Sequence, residues 1–232
     1  MEAIILAGGF GTRLRSIVSD VPKPMAPIGK RPFLELLLDN LERSGFSHIV
    51  LSTGYLHEKI EQHFGNQYQG MEISYAVETT PLGTGGGIRN AVEKCKEQAV
   101  TVLNGDTLFD IDFTELQRFY SSHTTRLAVV LREVDDTARY GAIDIDNDGR
   151  VCRFFEKAVS GGAGLINGGI YMLDRQLIEE FPLGEKFSFE QDLLQKKYKD
   201  ESFYAYPSSA YFIDIGIPED YKKLIKDRKN RD

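Results

Sequence analysis

Three stretches of the chain carry side chains suited to chemistry on a phosphate. The first is Leu6-Ala7-Gly8-Gly9-Phe10-Gly11-Thr12-Arg13-Leu14, with Lys23 following between Pro22 and Pro24. Glycines directly after a strand let backbone N–H groups approach a phosphate closely, and Arg13 adds a planar cation with several donors. A dinucleotide fingerprint would need a third glycine where Leu14 stands, and a Walker loop would need Gly-Lys-Ser/Thr; neither is present. Taken alone, the segment also fits a structural turn with Arg13 on the surface. The other two stretches end in carboxylates, Asp106 after one predicted buried strand and Asp214 after another. Singly, each fits a turn or helix-capping residue. Together, at strand ends that a fold brings side by side, they suit Mg²⁺ bridged to phosphate oxygens.

These residues need a scaffold, and the first half of the chain predicts one. Apolar runs at 3–7, 48–52, 73–77, 100–103 and 127–131 read as buried strands. Between them lie amphipathic segments predicted as helices over 32–44 (stopped by Gly45), 56–64, from the Gly-rich turn to about 96, and 113–122. Such alternation predicts an α/β fold: a Rossmann-like, mostly parallel mixed sheet flanked by helices, with ligands at the carboxyl ends of the strands. In the second half, 141–145 and 151–156 flank Asp146-Asn147-Asp148-Gly149 as a hairpin. A strand over 170–173, helices near 175–181 and 189–197, a strand over 212–214 and a helix opened by Pro218 follow. With no linker or repeat, 1–232 reads as a single domain in two parts, about 1–110 and about 111–232, the second adding strands beside the first.

Composition narrows the function class. The chain has 28 Lys+Arg against 35 Asp+Glu, a formal charge of −7, which argues against a general binder of nucleic acid or anionic membranes. No apolar run approaches the ~20 residues that span a bilayer, and the acidic start is unlike a signal peptide. Cys95 and Cys152 lack a CxxC partner and read as thiols of a reducing, cytoplasmic compartment.

The loop from Gly8 to Leu14 with Lys23-Pro24 resembles the signature of the sugar-1-phosphate nucleotidyltransferases. In the same order as in that family come Pro81-Leu82-Gly83-Thr84, Asn104-Gly105-Asp106, Phe155-Glu156-Lys157 with Asn167-Gly168-Gly169, and Asp214-Ile215-Gly216 with Pro218-Glu219. Ile217 stands where the family usually has Thr, and Phe212 where it often has Trp. The resemblance covers essentially the whole chain and is strongest to the bacterial heptose 1-phosphate guanylyltransferases. It implies the nucleotide-diphospho-sugar transferase fold and an Mg²⁺-dependent reaction joining a nucleoside triphosphate to a sugar 1-phosphate with release of pyrophosphate. It further implies nucleotide contacts at Leu6, Ala7, Gly8, Gly9, Gly11, Thr12, Arg13, Glu78, Gly83 and Asp106. Arg13 would stabilise the leaving pyrophosphate and Lys23 the α-phosphate, with the metal on Asp106 and Asp214. Tyr140, Gly141, Glu156, Lys157 and Asn167 would hold the sugar phosphate.

Base choice rests on Glu78, which ends the third predicted strand shortly before Leu82-Gly83, whose backbone should also face the base. Guanine presents two adjacent donors, N1–H and N2–H₂, that one carboxylate accepts together. Thymine and uracil offer a single donor flanked by acceptors, which Gln would match better. An exposed strand-end glutamate is the plain alternative. Together with the resemblance, which implies the sugar, the match of Glu78 to guanine makes GMP transfer from GTP to a manno-configured heptose 1-phosphate the expected reaction. Mannose 1-phosphate as acceptor, thymidylyl or cytidylyl transfer to a hexose 1-phosphate, and a non-catalytic nucleotide-sugar sensor are the alternatives. Neither a nucleic-acid nor a membrane partner is expected, no appended left-handed β-helix is expected after Asp214, and a homodimer stays open.

Three further patterns read as decoys. Asp144-x-Asp146-x-Asp148-Gly149 begins like a calcium loop, but its twelfth position is Phe155 and strands flank it. His57-Glu58 and His63 lack the four-residue spacing of a zinc protease and read as helix-surface residues. The basic segment over 222–231 contains interspersed Asp and reads as a solvated helix end.

Overall fold

The computed structural model describes residues 1–9, 11, 14, 18, 20–138, 142–154, 162–182 and 184–229. Strand β1 (Glu2–Leu6) is followed by a 3₁₀ turn at Lys23–Met25, the short strands β2 (Pro27–Ile28) and β3 (Arg31–Pro32), and helix α1 (Phe33–Arg43). Then come β4 (His48–Thr53), α2 (His57–Phe64), β5 (Gln67–Tyr68), β6 (Met71–Val77), α3 (Gly83–Val92), β7 (Ala99–Asn104), β8 (Thr107–Phe109) and α4 (Phe113–Ser122). The second half contains β9 (Leu127–Val134), β10 (Ile143–Ile145), β11 (Val151–Phe154), β12 (Gly164–Asp174) and α5 (Arg175–Glu179). A π-helical turn (Phe189–Leu194), α6 (Gln195–Lys197), β13 (Tyr204–Ser208), β14 (Phe212–Asp214) and α7 (Pro218–Lys229) complete it.

An eight-stranded sheet in the order β13-β9-β12-β7-β1-β4-β6-β5 forms the centre. Strands β7, β1, β4 and β6 run parallel, β12 is antiparallel to both of its neighbours, and β13 is parallel to β9. The sheet is thus the mixed, mostly parallel one that the alternation predicts. Its parallel strands are apolar on both faces because both faces are covered. Ala3 and Ile5 pack with α1, α2, α4 and α7 on one side, while Ile4 between them packs with α3, α5 and the π-helical turn on the other.

Several boundaries differ from expectation. The helix expected to reach about residue 96 ends at Val92, because the buried Glu2 carboxylate takes the N–H groups of Lys96 and Glu97 at 2.7 and 2.6 Å and draws that segment out of the helix. The strand expected over 170–173 begins already at Gly164, so Asn167 lies within a strand; its register shifts between Asn167 and Tyr171, where Gly169 adopts φ +71. A bulge of this kind breaks the alternation that marks a strand in sequence. Strand β13, with Pro207 in it, carries no clear strand signal, and the sheet recruits it at an edge, where proline is tolerated.

The Asp146–Gly149 hairpin forms as expected: Asp146 Oδ1 accepts from the N–H groups of Asp148 and Arg150, each at 2.9 Å, and Gly149 has φ +79. His57 and His63 lie on α2 and pair with Glu61 and Glu35. Cys95 is buried, which pushes its thiol up to about 12; Cys152 is exposed, and both are free. Among the described residues, no helix is long and apolar enough to cross a membrane.

Candidate active site

The carboxyl ends of β1, β4, β6 and β7 lie in register, Leu6 beside Ser52 and Asn104, and Ser52 beside Ala76. Chain leaving a parallel strand has backbone groups that the ladder no longer uses, and here they knit the loops together. Ala7 N–H donates to Ser52 O at 2.7 Å, and Gly105 N–H donates to Leu6 O at 3.0 Å. A Cβ on Gly105 would stand 2.5 Å from that same oxygen, so only glycine fits there.

The glycine loop joins two features. At one end, a Cβ on Gly8 would meet Glu78 Oε1 at 3.1 Å. At the other, Gly11, with φ +58, lies against Lys23, whose Cβ would be 3.0 Å from a side chain placed there. Gly9 is exposed, with open space where a side chain would be. Thr12 and Arg13 lie outside the described residues.

Lys23, Asp106 and Asp214 converge. The Lys23 ammonium donates to Asp106 Oδ2 at 2.5 Å and lies 3.9 Å from Asp214 Oδ1. Its side chain is 11% exposed while the two carboxylates are 36% and 32% exposed, so the anions face solvent and the cation lies beneath them. The convergence is built by a small antiparallel pair in which Asp214 of β14 stands opposite Thr107 of β8, reinforced by Ile215 N–H to Asp106 O at 2.9 Å. Phe212 fills its position by packing edge-on against Phe109, with ring centroids 5.2 Å apart. Two carboxylates about a third exposed and sharing one cation match the oxygen-donor preference of a hard divalent ion that keeps positions for phosphate oxygens. Among the described residues, no group of three or more His, Cys, Asp or Glu is arranged to hold a metal ion.

Beyond Gly8 a cavity of about 210 Å³ is lined by Gly8, Gly54, Tyr55, Glu78, Thr79, Thr80 and Pro81. Glu78 is held from two sides, Oε2 accepting from Leu82 N–H at 3.0 Å and Oε1 from Ser52 Oγ at 3.3 Å. Each carboxylate oxygen has a second acceptor position, so Glu78 can still receive two more donors. Gly83 opens α3 outside that lining, with φ +75, and a Cβ on it would stand 2.5 Å from Phe187 O. The Leu82 backbone is also engaged inward, N–H to Glu78 and carbonyl to Phe187 N–H at 3.0 Å. Sequence reasoning did not single out Gly54, Tyr55, Thr79 or Thr80. The available signal was positional, since all four follow the carboxyl ends of parallel strands.

On the other side of the centre, Asn167 lies on β12 with its amide held at both ends, accepting from Gly169 N–H at 2.9 Å and donating to Tyr171 Oη at 2.6 Å. A Cβ on Gly169 would stand 2.7 Å from Asn104 Nδ2, so the bulge lies against the strand that leads to Asp106. Tyr140, Gly141, Glu156 and Lys157 lie outside the described residues.

Comparison with known proteins places the chain in a family. The family model described as nucleotidyl transferase matches residues 2–231. The chain is 48% identical to the D-glycero-alpha-D-manno-heptose 1-phosphate guanylyltransferase of Aneurinibacillus thermoaerophilus, over 98% of each protein. It is 45% identical to the enzyme of the same name from Campylobacter jejuni, over 97% of this chain and 99% of that one. The crystal structure of HddC from Yersinia pseudotuberculosis complexed with GMP-PN superposes with a TM-score of 0.86 at 41% identity, covering 98% of this chain and 99% of that one. The chain belongs to the nucleotidyl transferase family.

Proposed function

We propose that the protein transfers GMP from GTP to D-glycero-α-D-manno-heptose 1-phosphate. An oxygen of the sugar phosphate attacks the α-phosphorus of GTP, the bond from that phosphorus to the β-phosphate oxygen breaks, and pyrophosphate leaves. The observation that carries this reading is the meeting of Lys23, Asp106 and Asp214 beside a glycine loop whose other end touches Glu78 in a cavity. That arrangement offers a cation and two carboxylates able to take a metal ion on the same side of the sheet as the recess that holds Glu78. The names of the relatives and the GMP-PN complex of HddC support the choice of base and sugar.

In this reading the backbone from Gly8 to Gly11 cradles the triphosphate, and Arg13 neutralises the departing pyrophosphate. Lys23, wedged between two prolines in a 3₁₀ turn, neutralises the α-phosphate and guides the attacking oxygen. Asp106 and Asp214 would hold Mg²⁺, which when bound would supply charge neutralisation at the phosphates. Catalysis of this type consists of placing the reactants in line and balancing charge as it develops on the leaving group. Glu78, with two acceptor positions open, receives guanine N1–H and N2–H₂. Tyr140, Gly141, Glu156, Lys157 and Asn167 bind the sugar phosphate, Lys157 at its anionic end. The chain works as one unit, residues to about 110 on the nucleotide and the remainder on the sugar phosphate, in the cytoplasm.

Pyrophosphate release, measured with GTP and a panel of sugar 1-phosphates, tests the proposal. Release with GTP and the manno-configured heptose 1-phosphate, exceeding that with mannose 1-phosphate, is expected. No release with any nucleoside triphosphate would replace it with a non-catalytic sensor.

A further inference from the structure

A polar chain runs through the interior between α3, at the base side of the site, and Asn167 on its sugar side. Thr84 Oγ1 donates to Glu190 Oε2 at 2.7 Å and accepts from Phe189 N–H at 2.9 Å. Ser188 Oγ donates to the same carboxylate oxygen at 3.2 Å. The other oxygen, Glu190 Oε1, accepts from Tyr171 Oη at 3.4 Å, and Tyr171 Oη accepts from Asn167 Nδ2 at 2.6 Å. Tyr171 is fully buried, its ring edge-on to Phe189 with centroids 4.9 Å apart. Glu190 lies in the π-helical turn, a winding that recurs at functional sites.

The direction of every bond in this chain follows from its ends. A carboxylate only accepts, so Tyr171 must spend its single hydrogen on Glu190 and offer its oxygen to Asn167. Asn167 therefore turns its Nδ2 toward Tyr171. Gly169 N–H, which only donates, requires Asn167 Oδ1 on its side, and the two constraints agree. One N–H of the Asn167 amide is left for a ligand. The residue thus presents a fixed donor, where an unconstrained amide would offer either end.

We propose that Glu190 is a positioning residue that sets the polarity of Asn167 toward the sugar 1-phosphate and ties it to the nucleotide side through Thr84. Its substrate rests on the guanylyltransferase reading; the hydrogen-bond polarity does not. Glu190→Gln keeps the shape but introduces a donor. If the new amide N–H faces Tyr171, the Tyr171 oxygen meets two donors and its own hydrogen loses its acceptor. If it faces Thr84, the two hydroxyls on that side lose theirs.

Steady-state kinetics on the full chain test this. Glu190→Gln is expected to raise KM for the sugar 1-phosphate about tenfold, the scale of one charged hydrogen bond, with a smaller change in kcat at saturating sugar. Thr84→Val, on the nucleotide side, should raise the same KM by about threefold. In an Asn167→Ala background, Glu190→Gln should add nothing, because the group it positions is gone. Glu190→Asp, which retains an acceptor, should fall between Gln and the native residue. Additive effects of the Asn167 and Glu190 substitutions, or an unchanged sugar KM in Glu190→Gln, would overturn the proposal. A second readout needs no substrate: the Asn167 side-chain amide resonances, assigned by their loss in Asn167→Asp, must shift in Glu190→Gln and in Thr84→Val. Resonances that stay in place refute the proposal whatever the activity, whereas a native protein without turnover refutes only the guanylyltransferase reading.

Discussion

At the amino end of the parallel strands, Glu2 accepts from His48 Nδ1 at 2.7 Å and from two backbone N–H groups, while His48 Nε2 meets Ser74 Oγ at 2.9 Å. Glu2 is 4% and His48 5% exposed. At the carboxyl end of the same sheet, Lys23, Asp106 and Asp214 form a charged cluster whose carboxylates are about a third exposed; Asp106 Oδ1 also accepts from Thr107 Oγ1 at 3.2 Å and Asp214 Oδ1 from Gly216 N–H at 2.6 Å. Nearby, among the described residues, the buried Thr53 Oγ1 has no partner. The difference teaches how to separate structure from function on one scaffold. A charged group buried and hydrogen-bonded within the protein holds the chain together; carboxylates that reach solvent at a strand end are placed where a ligand can meet them.

Substitutions should split along that line. The largest effect expected is on activity: Lys23→Ala or Asp106→Ala should lower kcat/KM roughly a thousandfold, the scale of losing a preorganised charge at the transition state, with a native circular dichroism spectrum. Near-normal turnover in either variant would remove it from the catalytic centre. Next comes a loss of stability at the closed end. Glu2→Ala leaves two N–H groups and a buried imidazole without their acceptor and should cost about 3 kcal/mol in chemical denaturation, with kcat of the folded protein unchanged.

Smaller effects refine the contrast. Glu78→Gln should lower the GTP-over-dTTP ratio of kcat/KM about tenfold, since an amide offers a donor where the carboxylate offers only acceptors. An unchanged ratio would return Glu78 to a structural role as the acceptor for Leu82 N–H. The smallest is a pH effect. Burial pushes the Glu2 carboxyl up, but hydrogen bonds from Glu97 N–H, His48 and Lys96 N–H outweigh it, so its pKa lies below the usual value of 4.5. A carboxylate with a depressed pKa contributes its stability above the ordinary value and loses it as pH falls through the folded one. The stability gap between the native protein and Glu2→Gln should therefore narrow below about pH 4.5, measured by urea titration, and a constant gap would contradict this assignment.

Legibility in the sequence followed the range of the interaction. The parallel strands could be read because each is a continuous apolar run, and α4 because Phe113 to Ser122 repeats at helical spacing. Gly8, Gly11 and Lys23 stood out as a local motif. By contrast, the end of α3 at Val92 depends on Glu2, which is adjacent in space and remote in the chain. The extra length of β12 was hidden by its bulge, and the lining of the cavity by Tyr55, Thr79 and Thr80, residues common in any loop.

The amino-acid sequence by itself determined the order of the main strands and helices, the glycines that permit close approach, and the residue types suited to chemistry on a phosphate. Hydrophobic period and turn chemistry act within a few residues, so they are written locally. Only the tertiary structure decided that Asp214 stands opposite Thr107 and reaches the ammonium that Asp106 holds, and that Glu190 links Thr84 to Tyr171. Those partners come from distant parts of the chain. What selects them is which strand edges and polar groups must find complements once both faces of the sheet are buried, a choice made by the whole packed molecule and by no single segment.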